Sequence, residues 1–166
     1  MLLTLDIGNS EITAGLFDGD ALQAHWRLTT NPGRTPDEWG SAIGGFLIQA
    51  GHSPNEIRAV CLASVTPAVT QSVVEGVARS TGCTGVAVDS RSPLPIRLDV
   101  DEPLSVGADR IVNALAAVEL YRSDTIVVDF GTATTFDCVT AEGRFLGGVI
   151  MPCLRKAAVH LRGHAA

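Results

Sequence analysis

Two aspartates close apolar runs and are followed, two positions on, by glycine and then by small hydroxyl or amide residues. The first is in "LTLDIGNSEITAG", where Asp6 precedes Gly8, Asn9 and Ser10. The second is in "VVDFGTATTFDC", where Asp129 precedes Gly131, Thr132, Thr134 and Thr135. A strand ending this way sets a carboxylate at the lip of a sheet. The glycine lets a phosphate approach the backbone, and the residues after it offer N–H and O–H donors. Two such hairpins facing one another would hold a triphosphate between two lobes, with a cation to offset repulsion between the aspartates and the phosphates. Taken singly, each Asp-x-Gly is equally a plain tight turn; two copies at matched positions favour the phosphate reading.

A third segment, "VGADRIVNALAA" (Val106 to Ala117), opens with glycine and carries Asp109 and Arg110 in what reads as a first helical turn. Backbone N–H groups there favour an anion. Asp109 either caps the helix or accepts a proton from a substrate hydroxyl, as the base of a phosphoryl transfer does. Arg110 is either a solvated surface arginine or a fork for a substrate carboxylate. His160 and His164 stand four apart on a plausible helix, a spacing open to a metal. With no carboxylate partner nearby in sequence, a surface helix accounts for them better. The phosphate motifs G-x-x-x-x-G-K-[ST] and G-x-G-x-x-G and the G-x-S-x-G elbow are absent from the 166 residues.

The elements that must carry these residues follow from periodicity and punctuation. Leu2 to Leu5 predicts a strand ending at Asp6, Ile12 to Phe17 a second, and the Asp-Gly turn at Asp18 a hairpin into a third over Ala21 to Leu28. Thr29 to Pro36 predicts a loop. Trp39, Ile43, Phe46 and Leu47 give helical spacing from Asp37, closed by Gly51. A buried strand is expected over Ile57 to Ala63. A helix then runs from Thr66 as N-cap and Pro67 to Gly82, and Val86 to Val88 is a short strand. Pro93, Pro95 and Pro103 mark an extended connection, and Ile111, Leu115 and Val118 stripe a helix over Ala108 to Tyr121. The pattern then restarts: a strand over Thr125 to Val128 ending at Asp129, another over Phe136 to Val139, the turn "AEG", and a third over Phe145 to Ile150. With Asp6 set on Asp129 the two glycine turns, Gly19 and Gly143, coincide within one residue, which reads as an internal duplication. The expected division is residues 1–122 for a first lobe with the helix of Asp109, and 123–166 for a second. Ile126, Val128, Phe136 and Val149 have little of their own to pack on. The chain is therefore expected to be a C-terminally truncated form of a two-lobed protein, or to need a partner chain.

Bulk composition narrows the classes. A 46% hydrophobic chain is not disordered, and a net charge of −6 argues against a non-specific nucleic-acid binder. No apolar run reaches the length of about 18 residues that a membrane span needs. The N-terminus reads as a first strand and not as a leader. The four scattered cysteines read as reduced thiols of a cytoplasmic protein.

Together the three motifs resemble those of the type III pantothenate kinases, of the actin-like ATPase superfamily. "DIGNSEIT" is similar to the family's first phosphate motif, "VGADRIVNA" to its pantothenate segment, and "VVDFGTATTFD" with "GRFLGGVIMP" to its second phosphate motif. The resemblance covers the chain in order. It implies an α/β fold of duplicated ribonuclease-H-like lobes, the first complete, the second with three strands and the start of a helix. It implies ATP-dependent phosphorylation of pantothenate by a cytoplasmic homodimer, with Mg2+ accompanying ATP and no nucleic-acid or membrane partner. By resemblance Asp6, Ile7, Gly8, Asn9, Ser10, Glu11, Ile12 and Thr13 contact ATP phosphates, as does Thr132. Gly107, Ala108, Asp109 and Arg110 bind pantothenate, with Asp109 as the base, and Asp129 holds a monovalent cation, K+ or NH4+. The chain departs from the family at Val100, where a tyrosine is usual, and at Cys153, which replaces the glycine of "PGL". The family also runs on for roughly half a lobe. Two other readings stand beside the kinase: a non-catalytic relative acting as a binding or regulatory protein, and a ribonuclease-H-like nuclease. The acidic balance, and hydroxyl-rich turns in place of a carboxylate cluster, argue against the nuclease.

Overall fold

Strand alternation and helix stripes sort the chain into two compact units, Met1–Asp89 and from Ser90 onward, in a computed structural model that describes residues 1–154 and 157–159. His160 and His164 lie outside the described residues.

The first unit runs β1 (Leu2–Ile7), β2 (Glu11–Asp18), β3 (Ala21–Thr29), α1 (Pro36–Gln49), β4 (Ala59–Ser64), α2 (Pro67–Thr81) and β5 (Gly85–Val88). Its sheet has the order β3-β2-β1-β4-β5. The first three strands form an antiparallel meander, and β4 and β5 join parallel to β1. Successive side chains alternate faces, so Leu3, Leu5 and Ile7 share one face with Ile12, Ala14 and Leu16. Onto that face pack Trp39, Ile43 and Leu47 of α1 and Val69, Val73 and Val77 of α2, each set spaced four apart. The helices cross backbone to backbone at two glycines. A Cβ on Gly76 would overlap the Pro36 carbonyl oxygen and come within 2.8 Å of the Gly40 nitrogen. A reciprocal capping box starts α1: the Glu38 N–H donates to Thr35 Oγ1 (3.3 Å) and the Thr35 N–H to Glu38 Oε2 (2.7 Å).

The second unit runs β6 (Arg97–Leu98), α3 (Ala108–Tyr121), β7 (Thr125–Phe130), β8 (Ala133–Val139) and β9 (Arg144–Pro152), with sheet order β6-β9-β8-β7. β7, β8 and β9 form an antiparallel meander, and β6 adds parallel to β9. Ala114 of α3 packs with Val139 and Phe145, surrounded by Leu98, Val100, Val106, Val118 and Val127. Val100, at the place of the family's tyrosine, is thus part of this core.

The structure departs from the sequence expectations at several edges. Asp6 and Asp129 lie inside β1 and β7, because their backbones still pair across the ladder, with Thr13 and Thr135. Ile57 is buried but follows a 3-10 turn at Pro54–Glu56, and the strand begins at Ala59. β6 was not expected; two residues among prolines carry no alternation to read. The compact units divide after Asp89. Helix α3 packs on β7 and β8 and so groups with the strands that follow it.

Candidate active site

The turn between β1 and β2 is braced from two sides. The Gly8 N–H donates to the Glu11 carbonyl (3.0 Å), closing the turn over Asn9 and Ser10. From the loop after β3, Thr30 donates its N–H to the Ser10 carbonyl (3.0 Å) and its hydroxyl to the Gly8 carbonyl (2.6 Å). Thr66 holds the N-cap position of α2, yet its hydroxyl makes no cap bond and donates to Asn9 Oδ1 instead (3.2 Å). Of the nine residues assigned to phosphate by resemblance, eight lie in β1, this turn and β2; among these Ile7 and Ile12 are buried in the core and pair with each other across the ladder. Asp6 and Thr13 are register partners, both exposed on the face away from α1 and α2. Glu11 pairs with Arg27 at 2.5 Å in solvent.

The turn between β7 and β8 is one residue tighter: the Gly131 N–H donates to the Ala133 carbonyl (2.9 Å). Thr132 is exposed at its tip and Asp129 is half-buried at its base. Asp129 Oδ2 accepts from Asn113 Nδ2 of α3 (3.3 Å). Thr135, the register partner of Asp129, has a shielded Oγ1 with no hydrogen-bond partner among the described residues, as does Thr134. Among the described residues no three of His, Cys, Asp or Glu gather into a metal cluster.

Gly107 is the N-cap of α3 and supplies no side chain to its orphan N–H groups. Asp109 partly takes that role: its Oδ1 accepts the Arg110 N–H at 2.8 Å. The Asp109 carboxylate is thereby oriented, half-buried, in the first turn. Arg110 turns toward the sheet. Its Nε donates to Asp137 Oδ1 at 2.8 Å, its Nη2 donates to the same oxygen, and its guanidinium lies 5.3 Å over the Phe145 ring. Asp137 is 1% exposed and the Arg110 side chain 16%. Room for the Asp137 carboxylate depends on Gly148, its register partner on β9. A Cβ there would overlap the Phe136 carbonyl oxygen and come within 2.5 Å of Asp137 Oδ1.

Arg110 and Asn113 stand three apart, and so on one helix face; between them they reach Asp137 and Asp129. These two acids point from the same face of the β7–β8 pair, since Asp137 lies opposite Val127 and Asp129 opposite Thr135. Asn113, Asp137, Phe145 and Gly148 were not singled out by sequence. One signal was available: Asp137 interrupts an apolar run, between Phe136 and Cys138. An exposed pair, Arg144 Nε to Asp99 Oδ2 (3.1 Å), ties β9 to the segment after β6 and holds the Asp99 carboxyl below the usual carboxylate range.

The order of these parts is that of a known family. The family model for type III pantothenate kinase matches residues 2–166. A type III pantothenate kinase of Thermomicrobium roseum is 41% identical over 166 residues, covering 100% of this chain and 64% of that protein. One from Geobacter sulfurreducens is 45% identical over 159 residues, covering 93% of this chain and 60% of that protein. The chain thus spans a little under two thirds of these relatives' length. Among solved structures, a Ppx/GppA phosphatase of Aquifex aeolicus aligns with a TM-score of 0.56 at 13% identity, covering 96% of this chain and 55% of that one. Ethanolamine utilization protein EutJ of Carboxydothermus hydrogenoformans aligns with a TM-score of 0.52 at 16% identity, covering 98% and 56%. The fold is a partial duplicated ribonuclease-H-like α/β fold. On the family model and the relatives together, the chain belongs to the type III pantothenate kinase family.

Proposed function

We propose that this chain carries the phosphate-binding and pantothenate-binding segments of an ATP-dependent pantothenate kinase, the enzyme of the first step toward coenzyme A. The observation behind the residue roles is the first turn of α3, where Asp109 is half-buried with one carboxylate oxygen held by the Arg110 N–H. In this reading Gly107, Ala108 and Arg110 join it in binding pantothenate. Asp109 takes the proton from pantothenate's primary hydroxyl as that oxygen attacks the γ-phosphorus of ATP; the bond to the bridging oxygen breaks and ADP leaves. The segment Asp6 to Thr13 supplies phosphate contacts, and Thr132 supplies another. Mg2+ comes with ATP and spreads phosphate charge.

A monovalent cation, K+ or NH4+, belongs at Asp129. The donors present fit it: a carboxylate with one oxygen bound to the Asn113 amide, and across the ladder a shielded Thr135 hydroxyl without a partner among the described residues. Oxygen ligands suit a hard cation. A cytoplasmic homodimer completes the reading. No helix of the described residues is long and apolar enough to cross a membrane.

The test is ADP release that depends on pantothenate, with Mg2+ and K+ present. Asp109→Asn should lower turnover by about a hundredfold or more, the scale of a lost general base; retained turnover would sink the base assignment. A second reading, a binding protein without turnover, is favoured by Val100 and Cys153, which stand where the resembled family has a tyrosine and a glycine. A thermal shift with Mg-ATP but no ADP release would select it.

A further inference from the structure

We infer that Asp137 is a positioning residue that turns Arg110 toward a substrate carboxylate. The inference rests on the reading of Gly107 to Arg110 as the pantothenate segment, and adds a residue that the motif does not contain.

A guanidinium has five N–H donors in a fixed fork. Asp137 Oδ1 takes the Nε–H and one Nη2–H of Arg110. The Nη1 amino group donates to none of the described residues. The side chain is therefore bound along one edge, and its Nη1 edge has no acceptor among the described residues, which leaves donors of the kind with which arginine recognises carboxylates. The bound edge sits in a built cradle. Asp137 is almost wholly buried, Phe145 lies under the guanidinium, and Gly148 leaves out the one Cβ that would displace the carboxylate.

A buried ion pair gives little net stability compared with apolar packing of the same volume. Its better-supported use here is orientation. An arginine on a flexible stem must lose its rotamer freedom on binding, and one already held in the fold does not. Pantothenate offers a suitable group, since its β-alanine end is a carboxylate while its reacting hydroxyl is at the other end. The arginine that would take the carboxylate is the neighbour of Asp109, and its own N–H already orients the Asp109 side chain.

The test compares two ligands that differ only at that end: pantothenate, and pantothenol, which has a primary alcohol in its place. Binding is measured by calorimetry on the 166-residue chain, so turnover is not required. Asp137→Ala should weaken pantothenate about tenfold, the scale of one charge-assisted contact. Pantothenol should change by no more than about twofold, so that discrimination is lost. Asp137→Asn keeps an Oδ1 acceptor and should hold pantothenate within about threefold of the parent, since a neutral acceptor still orients the fork. Equal weakening of both ligands overturns the inference and leaves Asp137 as structural support alone; no change in either also overturns it. If Asp137→Ala does not fold, Asp137→Ser carries the same comparison. If the parent chain binds neither ligand, the pantothenate reading of this chain fails, and β-alanine decides the inference separately. A saturable shift of the Arg110 Nε–Hε NMR signal with β-alanine, absent in the Asp137 variant, upholds it; no shift in the parent chain overturns it.

Discussion

The two meanders share one grammar and bury opposite faces. Each runs strand, Asp-x-Gly turn, strand, glycine turn, strand, and each third strand starts 15 residues after its aspartate, Ala21 after Asp6 and Arg144 after Asp129. In the first unit Leu3, Leu5 and Ile7 are 0%, 2% and 0% exposed beneath α1 and α2. Their counterparts in the second unit, Ile126, Val128 and Phe130, are 64%, 41% and 69% exposed. There α3 lies on the other face, the one that carries Asp129 and Asp137. In the first unit the helices packed on the meander follow it in sequence; in the second, α3 precedes the meander on which it packs. The consequence is chemical. The face bearing Asp6 is left open by α1 and α2, whereas the face bearing Asp129 meets α3 and its Asn113 and Arg110.

The strongest challenge to this comparison is to crowd the close approach on which each unit depends. Gly76→Ala, at the α1–α2 crossing, and Gly148→Ala, beside Asp137, should each destabilise their own unit by about 3 kcal/mol, because backbone atoms must move to admit the Cβ. Hydrogen exchange resolved by unit checks this, and unchanged protection in either unit would mean that its crossing is not tight in solution. Next in size is the matched pair of strand positions. Leu3→Ala should cost about 3 kcal/mol, as buried leucine truncations do, while Ile126→Ala at the equivalent position should stay within about 0.5 kcal/mol. Similar losses at both positions, measured by denaturant unfolding, would show that the second face is covered in solution. The smallest effect is with pH. The Thr35 backbone N–H, then its hydroxyl, holds the Glu38 carboxyl below the usual carboxylate range, and the Arg144 guanidinium does the same to Asp99. A carboxyl with a lowered folded pKa stabilises above its unfolded pKa and loses that contribution as pH falls through the folded value. Glu38→Gln should therefore lower the melting temperature of the first unit near neutrality, and the gap from the parent should close as pH falls through the carboxylate range. A gap independent of pH would detach the capping box from that stability.

The sequence carried the elements well where periodicity is long. α3 spans Ala108–Tyr121 as its stripe predicts, and the hairpin at Asp18 turns where Asp-Gly demands. It failed where contacts are distant or the pattern is brief. β6 has two residues and no period. Thr66 has the right type and place for a cap, but whether its hydroxyl serves α2 or Asn9 depends on a residue 57 positions away. The partner of Arg110 is 27 positions away. Only the fold brings Asp137 to it, and only the β8–β9 register shows why position 148 is glycine. Local rules read one segment at a time, and the cradle around Arg110 is made from three.

β7 ends its sheet in the described order, with a solvated apolar face beside that edge. An edge strand and an adjoining greasy surface are what a sheet needs to recruit further strands from neighbouring chains. In the 166-residue chain this edge is the expected site of self-association, and light scattering against concentration measures it. A lysine placed outward at Ile126 or Val128, a device by which natural edge strands resist growth, should lower any such association without touching the face that holds Asp129 and Asp137.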